Sequence, residues 1–418
     1  MLEWMAITIA VLSCVAALIQ GVFALSFTRH LVHSPIVPLA PEHCPEAAIL
    51  LPLRGADARL EDTLRRLIRQ DHPNYTVRVV VDNPTDPAFE VAKRVAQESE
   101  GERLRIATIQ QRRTTCGLQC SALFEAAEQL EESVVDVATI DGDVVVHPSW
   151  LRELVAPLHD PSIGASFGNR WFTPQNGEWG AVVRYLWNAA AIVPMWIFGI
   201  PWGGTFAIKK KWLIETGLMD QWTRVMVHDA PVPYLLQQKG LKVKFVPSLM
   251  MPIGEACELG FCFQFLKRQM LWTRMYHPNF AAVLLYAVVT SALAIAILIA
   301  VCWSMAVGEW TAAAWLIGSC LAYLLAMIVL LGVIDRAVIT VIARRGDEQI
   351  RYRRLTWLQL LIAIPLTQFV YTLATMAAKF ARKIKWRGVT YVMNTPYDVK
   401  LVTDNLNTDS ALGKTVSL

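Results

Sequence analysis

Four apolar runs, set around one long stretch of mixed composition, leave this chain few ways to fold. The first, about Met5 to Phe27, is long enough to cross a bilayer, which takes roughly 20 residues. Two more follow at about Phe280 to Val307 and Ala312 to Ile334, and a fourth at about Leu355 to Ala378. Charged residues make up 18% and hydrophobic ones 54%, with a mean hydropathy of +0.37. Ordinary globular chains are roughly a quarter charged. This composition argues against a wholly soluble protein and excludes an intrinsically disordered one. A net charge of +4 is too small to argue for a nucleic-acid partner.

The flanks of these runs set the expected topology. Glu3 precedes the first run without any Lys or Arg, and Arg29, His30 and His33 follow it. A cleaved signal peptide would want a basic start and a shorter apolar core. The run therefore reads as a retained anchor whose following segment faces the cytoplasm. Gly308-Glu309-Trp310 links the second and third runs as a hairpin with its tip outside. The next loop, with Arg336, Arg344, Arg345, Arg351, Arg353 and Arg354, has cytoplasmic character. A simple crossing by the fourth run would put Lys379, Arg382, Lys383, Lys385 and Arg387 outside, against the same rule. Either that run is re-entrant, bent near Pro365, or the rule fails there. The expected division is a membrane anchor over 1–28, a cytoplasmic domain over 29–278, transmembrane or re-entrant helices over 279–380, and a basic then polar tail over 381–418, loosely ordered after Asn394. Eight cysteines, with Cys14, Cys302 and Cys320 inside apolar runs, read as buried thiols rather than a disulfide framework.

The long middle stretch alternates between two periods. Ala47 to Leu51, Val77 to Val81, Leu104 to Ile109 and Val134 to Ile140 read as short apolar strands. Ala58 to Arg69, Pro87 to Gln97 and Leu118 to Leu130 read as helices. Such alternation predicts a parallel sheet covered by helices, with ligands bound at the carboxyl ends of its strands.

Candidate functional residues sit at those ends. Asp141-Gly142-Asp143 directly follows an apolar strand; two carboxylates so spaced can share Mg²⁺ or Mn²⁺ completed by substrate phosphates. The alternative is an Asp-Gly turn that merely ends a strand. Asp82 ends another strand, where a carboxylate can take hydrogen bonds from a nucleotide base or ribose; a turn role is the alternative. Asp229, after Trp202-Gly203-Gly204 and before Val232 to Leu236, is placed to take a proton from an acceptor hydroxyl or to cap a helix. His228 beside it is either a supporting group or a surface residue. Cations of Arg268-Gln269-Met270-Leu271-Trp272-Thr273-Arg274 can hold a diphosphate while Trp272 packs against a sugar or lipid. The same residues also suit the basic, aromatic flank of a membrane helix.

Taken in order, these residues resemble the membrane-bound family-2 glycosyltransferases: a first Asp, a DxD-like site, a third Asp, then a (Gln/Arg)-x-x-Arg-Trp motif before a transmembrane hairpin. The chain is most similar to the ceramide glucosyltransferase branch. Pro52-Leu53-Arg54-Gly55 resembles that branch's Pro-Leu-Lys-Gly. Asp71-His72-Pro73-Asn74-Tyr75 and Asp86-Pro87-Ala88 resemble its Asp-Tyr-Pro-x-Tyr and Asp-Asp-Pro-Ala, and Trp272-Thr273-Arg274 its Trp-Thr-Lys. Trp386-Arg387-Gly388 is similar to a Trp-Arg-Gly found after the last membrane segment of many family-2 enzymes. The resemblance spans about residues 1 to 390. Leu271 stands where the motif expects Arg, leaving Arg268 or Arg274 as possible substitutes. Asp82, Asn83 and Asp86 all remain counterparts of the first Asp.

The resemblance implies an α/β GT-A (Rossmann-like) catalytic domain with transmembrane α-helices, and inverting transfer of a sugar, glucose by family default, from a UDP-sugar donor to a membrane lipid. It gives Asp82, Asp141, Arg268 and Trp272 to the donor, Asp141 and Asp143 to a divalent cation, and Asp229 to general-base catalysis. The apolar, aromatic stretch from Tyr185 to Trp202 offers a face for a lipidic acceptor or a buried core helix, and Gly203-Gly204 room for backbone to approach the sugar. A polysaccharide synthase and a catalytically dead membrane scaffold are the alternatives. Oligomeric state is left open.

Overall fold

The computed structural model describes residues 2–34, 37–98, 103–175, 177–345 and 355–404. The chain forms two compact units, each drawn from separated stretches of sequence. One, from Met1–Ser34, Trp171–Pro194 and Gly254–Phe380, is mainly helical; the other, from Pro35–Arg170, Met195–Ile253 and Ala381–Leu418, is built on a sheet.

The helical unit begins with α1 (Leu2–His33). The sheet unit then runs β1 (Ala47–Leu53), α2 (Leu60–Leu67), β2 (Tyr75–Val81), α3 (Pro87–Glu98), β3 (Leu104–Thr108), α4 (Leu118–Glu128), β4 (Asp136–Ile140), α5 (Trp150–Val155) and β5 (Ile163–Phe172). After α6 (Trp179–Phe198) come β6 (Thr205–Lys209), α7 (Lys210–Glu215), α8 (Leu218–Trp222), α9 (Val232–Gln238) and β7 (Lys242–Ile253). Strand order is β3-β2-β1-β4-β6-β5-β7. β1 pairs in parallel with β2 and β4, and β2 with β3, while β6 is antiparallel to both β4 and β5. This is the mostly parallel, helix-covered sheet that the alternating pattern predicts. β1 and β4 are buried almost throughout because both sheet faces are covered there. α2 shows the complementary logic: Leu60, Leu64 and Leu67 are buried on one face, while Glu61–Arg65 and Asp62–Arg66 pair at 2.7 and 3.1 Å on the other.

The helical unit continues with α10 (Leu259–Tyr276), α11 (Phe280–Ala306), α12 (Trp310–Ala343) and α13 (Trp357–Phe380). α1 lies along α12, where Ala6 packs with Ala312 and Leu316 and the Gln20 amide donates to the Tyr323 hydroxyl at 3.0 Å. Small residues let the helices approach, and the polar pair fastens them. Among the described residues, five helices, α1, α6, α11, α12 and α13, are long and apolar enough to cross a membrane. Broad apolar faces such as those bearing Leu285, Leu298 and Leu321 are exposed, and water would not tolerate them. The chain is a membrane protein.

Several expectations change here. α13 is one continuous helix through Pro365, not two segments bent at that residue. Arg351, Arg353 and Arg354 of the expected basic loop lie outside the described residues. Cys14, Cys302 and Cys320 sit on exposed helix faces rather than buried; Cys44, Cys116, Cys120, Cys257 and Cys262 are buried, and all eight are free thiols. Trp187 and Trp202 are buried and Trp196 is half-buried, so the start of the aromatic stretch is core while Ile197 and Phe198 at the end of α6 are exposed. Of the tail expected to be loosely ordered after Asn394, residues 398–404 instead form a strand and 405–418 lie outside the described residues; β8 (Lys383–Trp386), β9 (Val389–Thr395) and β10 (Asp398–Asp404) make a three-stranded antiparallel meander. Val389, Tyr391 and Met393 alternate with more exposed residues and bury one face of it.

Candidate active site

Because β1, β2 and β4 are parallel neighbours, their carboxyl ends share one edge of the sheet. Leu53 pairs with Val81 there, so Arg54 and Asp82 leave the sheet together, and Asp141 leaves β4 beside them. β6 runs the other way, with Thr205 opposite Ile140, so Trp202-Gly203-Gly204 enters the sheet where Asp141 leaves it.

Asp141 and Asp229 meet at these glycines. The Gly203 amide donates to Asp229 Oδ2 at 2.6 Å. A β-carbon on Gly203 would collide with His228 Cε1; one on Gly204 would lie 2.6 Å from Asp141 Oδ2 and collide with the Trp202 ring. The β-carbon direction of each glycine is therefore filled by a carboxylate and a ring, and the two glycines are required by that packing. Asp141 Oδ1 accepts a hydrogen bond from Gln119 Nε2 at 3.2 Å, from the first turn of α4. Gly142 presses on the end of β1, since a β-carbon there would meet Leu53 Cδ2 at 2.8 Å. Asp143 is buried.

Burial first, then the like charge of Asp143, push the Asp141 carboxyl well above its usual range; Arg170 pulls it back, Asp229 adds to the rise and Arg387 opposes it. A cluster of acidic oxygens whose charge is incompletely balanced suits a hard divalent cation. Among the described residues no group of three or more His, Cys, Asp or Glu side chains is arranged to hold a metal. Asp141 and Asp143 would thus supply two ligands, with the rest left to water and substrate.

The Asp229 backbone carbonyl accepts from Val232 N, but the residue capping α9 is Pro231, with no side-chain cap bond. The Asp229 carboxylate is turned to Gly203 instead, and the helix-cap alternative does not hold. His228 is buried, not a surface residue. Its Nε2 lies 3.2 Å from Thr139 Oγ1, its ring meets Phe206 and Trp222 edge-on, and burial lowers its pKa. A neutral, packed imidazole of this kind fixes the turn that presents Asp229.

Asp82 is enclosed. Its carboxylate pairs with Arg54 at 2.5 Å and lies 3.6 Å from Arg112, its side chain is 1% exposed, and Oδ1 has no hydrogen-bond partner. Asp404 of β10 bridges the same two arginines, at 2.8 Å from Arg54 and in close contact with Arg112. The neighbouring candidates have other duties: Asp86 accepts from the Gly55 and Ala88 amides, holding the loop after β1 and the start of α3, and Asn83 closes a turn on Thr85. Nothing local in the sequence singled out Arg112, Asp404 or Gln119.

Arg268 and Trp272 belong to the helical unit, on α10, and both are partly exposed. Leu271 is buried in that unit's core, and Arg274 donates to the Ala378 and Lys379 carbonyls at 2.7 and 2.5 Å, capping α13. Arg274 is thus committed elsewhere; Arg268 stacks over Phe265 at 5.6 Å.

The sequence matches glycosyl transferase family 21 over residues 7–396. The chain belongs to that family. Family 21 is that of the ceramide glucosyltransferases, so the resemblance drawn from the motifs holds, with the broader family-2 heading narrowed. A ceramide glucosyltransferase of Gibberella zeae is 29% identical over 102 residues, 23% of this chain and 19% of that protein. The family 21 chain is therefore matched over about a fifth of that relative's length. Among solved structures, a mannosyltransferase from Pyrobaculum calidifontis in complex with GDP-Man and Mn²⁺ is similar at 18% identity, covering 91% of this chain and 98% of that one, with a TM-score of 0.49. Glucosyl-3-phosphoglycerate synthase from Mycobacterium tuberculosis, in complex with Mn²⁺ and UDP-glucose, is similar at 17% identity over 57% of this chain and 84% of that one, with a TM-score of 0.38.

Proposed function

We propose that this family 21 protein transfers a sugar, glucose in the first instance, from a UDP-sugar to the hydroxyl of a ceramide-like membrane lipid, inverting the anomeric centre. The observation that carries the reading is the meeting of Asp141 and Asp229 across Gly203-Gly204, with Asp143 two residues on, at the carboxyl edge of a parallel sheet.

In this reading Asp229 is the general base. Its Oδ2 is steadied by the Gly203 amide, which leaves Oδ1 to take the acceptor proton. Asp141 and Asp143 hold Mg²⁺ or Mn²⁺, whose charge offsets the diphosphate leaving group. Gln119 orients Asp141. Asp82, its own carboxylate held by Arg54 and Arg112, is given to the nucleotide by the motif order alone. A donor role for Arg268 and Trp272 rests on the motif order alone. The catalytic domain, taken as residues 29–278, faces the cytoplasm, where nucleotide sugars are made.

The test is transfer of labelled glucose from UDP-glucose to total lipid by the full chain in detergent, with Mn²⁺ and with excess chelator, followed by mass spectrometry of the product. A labelled lipid that disappears with chelator is expected. A labelled polymer would instead favour a polysaccharide synthase, and no labelled product with any nucleotide sugar would favour an inactive scaffold. Full activity in chelator would remove the metal assignment.

A further inference from the structure

We propose that Arg387 is a positioning residue of the donor site: from the tip of the β8–β9 hairpin it clamps the loop after β1 that carries Arg54, the partner of Asp82. This rests on the reading of Asp82 as a donor-binding residue.

The hairpin itself is the first observation. Trp386 pairs with Val389, so Arg387 and Gly388 form a two-residue loop, with φ of 43° and 78°. Positive φ at both positions is what such a loop needs to match the strand twist, and Asn-Gly is the favoured pair. Arginine is poorly suited to the first position. Among the described residues it is the one non-glycine with positive φ. Disfavoured backbone is retained where a side chain is needed for something else.

Its side chain shows what that is. Arg387 Nη2 pairs with Asp57 Oδ2 at 2.8 Å, and Nη1 donates to the Arg54 carbonyl. Gly55 between them has φ of 74°, and a β-carbon there would lie 3.6 Å from Nη1. The Gly55 amide donates to Asp86 at 3.0 Å, so residues 54–57 are gripped from both sides. The Arg54 side chain is thereby delivered to Asp82 at 2.5 Å. Asp404, on the last strand of the same meander, closes the pair of arginines. The meander that the sequence suggested was a tail becomes, in this proposal, a working part of the site.

Arg387→Asn separates the clamp from the turn, because asparagine tolerates the left-handed backbone and makes the favoured Asn-Gly loop. The unfolding temperature of the full chain in detergent should stay level or rise. The KM for UDP-glucose with Mn²⁺ should rise about tenfold or more, the scale of a lost charge-assisted hydrogen bond. Amide exchange over residues 53–57 should accelerate with or without nucleotide. Arg387→Lys, keeping charge without the two-pronged grip, should fall between. Wild-type KM together with wild-type exchange in Arg387→Asn would overturn the proposal, as would a lowered unfolding temperature with unchanged exchange at 53–57. If the wild-type chain binds no nucleotide sugar, the donor reading falls, and the exchange measurement alone decides the clamp.

Discussion

At the scale of single residues, burial decides what each carboxylate can do. Asp229 keeps one oxygen on the Gly203 amide, and the carboxamide introduced by Asp229→Asn would retain that contact through its own oxygen. Fold and donor binding should therefore survive, while sugar transfer falls by about 10² to 10⁴, the usual range for a lost general base. Turnover near wild type would move the base to another group. Asp136 makes a different prediction. It opens β4 at 1% exposure, and neither carboxylate oxygen has a hydrogen-bond partner. Burial pushes its pKa up to about 7, with Lys209 across the ladder pulling it back. The folded chain then holds a proton that the unfolded chain releases above about 3.9. Stability contributed by this group is full below that value and is lost as pH rises towards 7. Asp136→Asn should be close to neutral at pH 4 and stabilising at pH 8, by up to a few kcal/mol on linkage arithmetic of about 1.4 kcal/mol per unit. Equal unfolding temperatures of the two proteins at pH 8 would contradict this.

At the scale of elements, periodicity carries the information. The four apolar runs correspond to α1, α11, α12 and α13, and the strand–helix alternation gave β1 to β4 within a few residues, because burial on one or both faces imposes a repeat of 3.6 or 2. The C-terminal meander was missed although Val389, Tyr391 and Met393 repeat at every second residue. Its strands are short, and polar or charged side chains fill their exposed face. Membrane helices add a second lesson. The Gln368 amide of α13 donates to Thr290 Oγ1 at 2.7 Å, and Ser291 and Thr372 bond at 2.8 Å, joining α11 to α13. Such groups in apolar helices must find partners. Gln368→Leu should lower stability by about 0.5 to 1.7 kcal/mol, the range for interhelical hydrogen bonds in membranes. An unfolding midpoint at or above wild type would show that the bond contributes nothing.

At the scale of the whole chain, the sheet unit constrains the crossings. Its members precede α11 and follow α13: Arg387 grips Asp57, Leu401 N donates to Thr114 O at 2.8 Å, and the Leu118 amide donates to the Tyr391 hydroxyl at 3.1 Å. Residues in such contact share one side of a membrane, so an even number of α11, α12 and α13 should cross. The expected pair is α11 and α12, each with a hydropathy of 2.6 against 1.7 for α13. As one continuous helix, α13 would then lie along one membrane face without crossing, which removes the conflict with its basic flank. The same parity keeps α6 from crossing, because β5 and β6 on either side of it are paired. Native Cys116 and Cys120 cannot report sidedness, since both are fully buried. Introduced cysteines can. Ser133→Cys and Lys400→Cys should be shielded in intact cells from an impermeant thiol reagent, and Glu309→Cys should be labelled. Opposite labelling of positions 133 and 400 would refute the parity argument.

From the sequence alone came the four long apolar helices, strands β1 to β4 with the helices between them, entry into a membrane, and the family. The sequence also supplied the carboxylates Asp82, Asp141, Asp143 and Asp229, because strand ends and turn residues mark such positions locally. Tertiary contacts alone wedge Gly203 and Gly204 between Asp229 and Asp141, enclose Asp82 with Arg54 and Arg112, and bring Asp404 to them from 322 residues away along the chain. Contacts of that kind leave no periodic trace, since neither partner's neighbours in sequence repeat the pattern that burial would impose. The same reason hid Arg387, whose meaning lies in a left-handed turn and in a carbonyl 333 residues away.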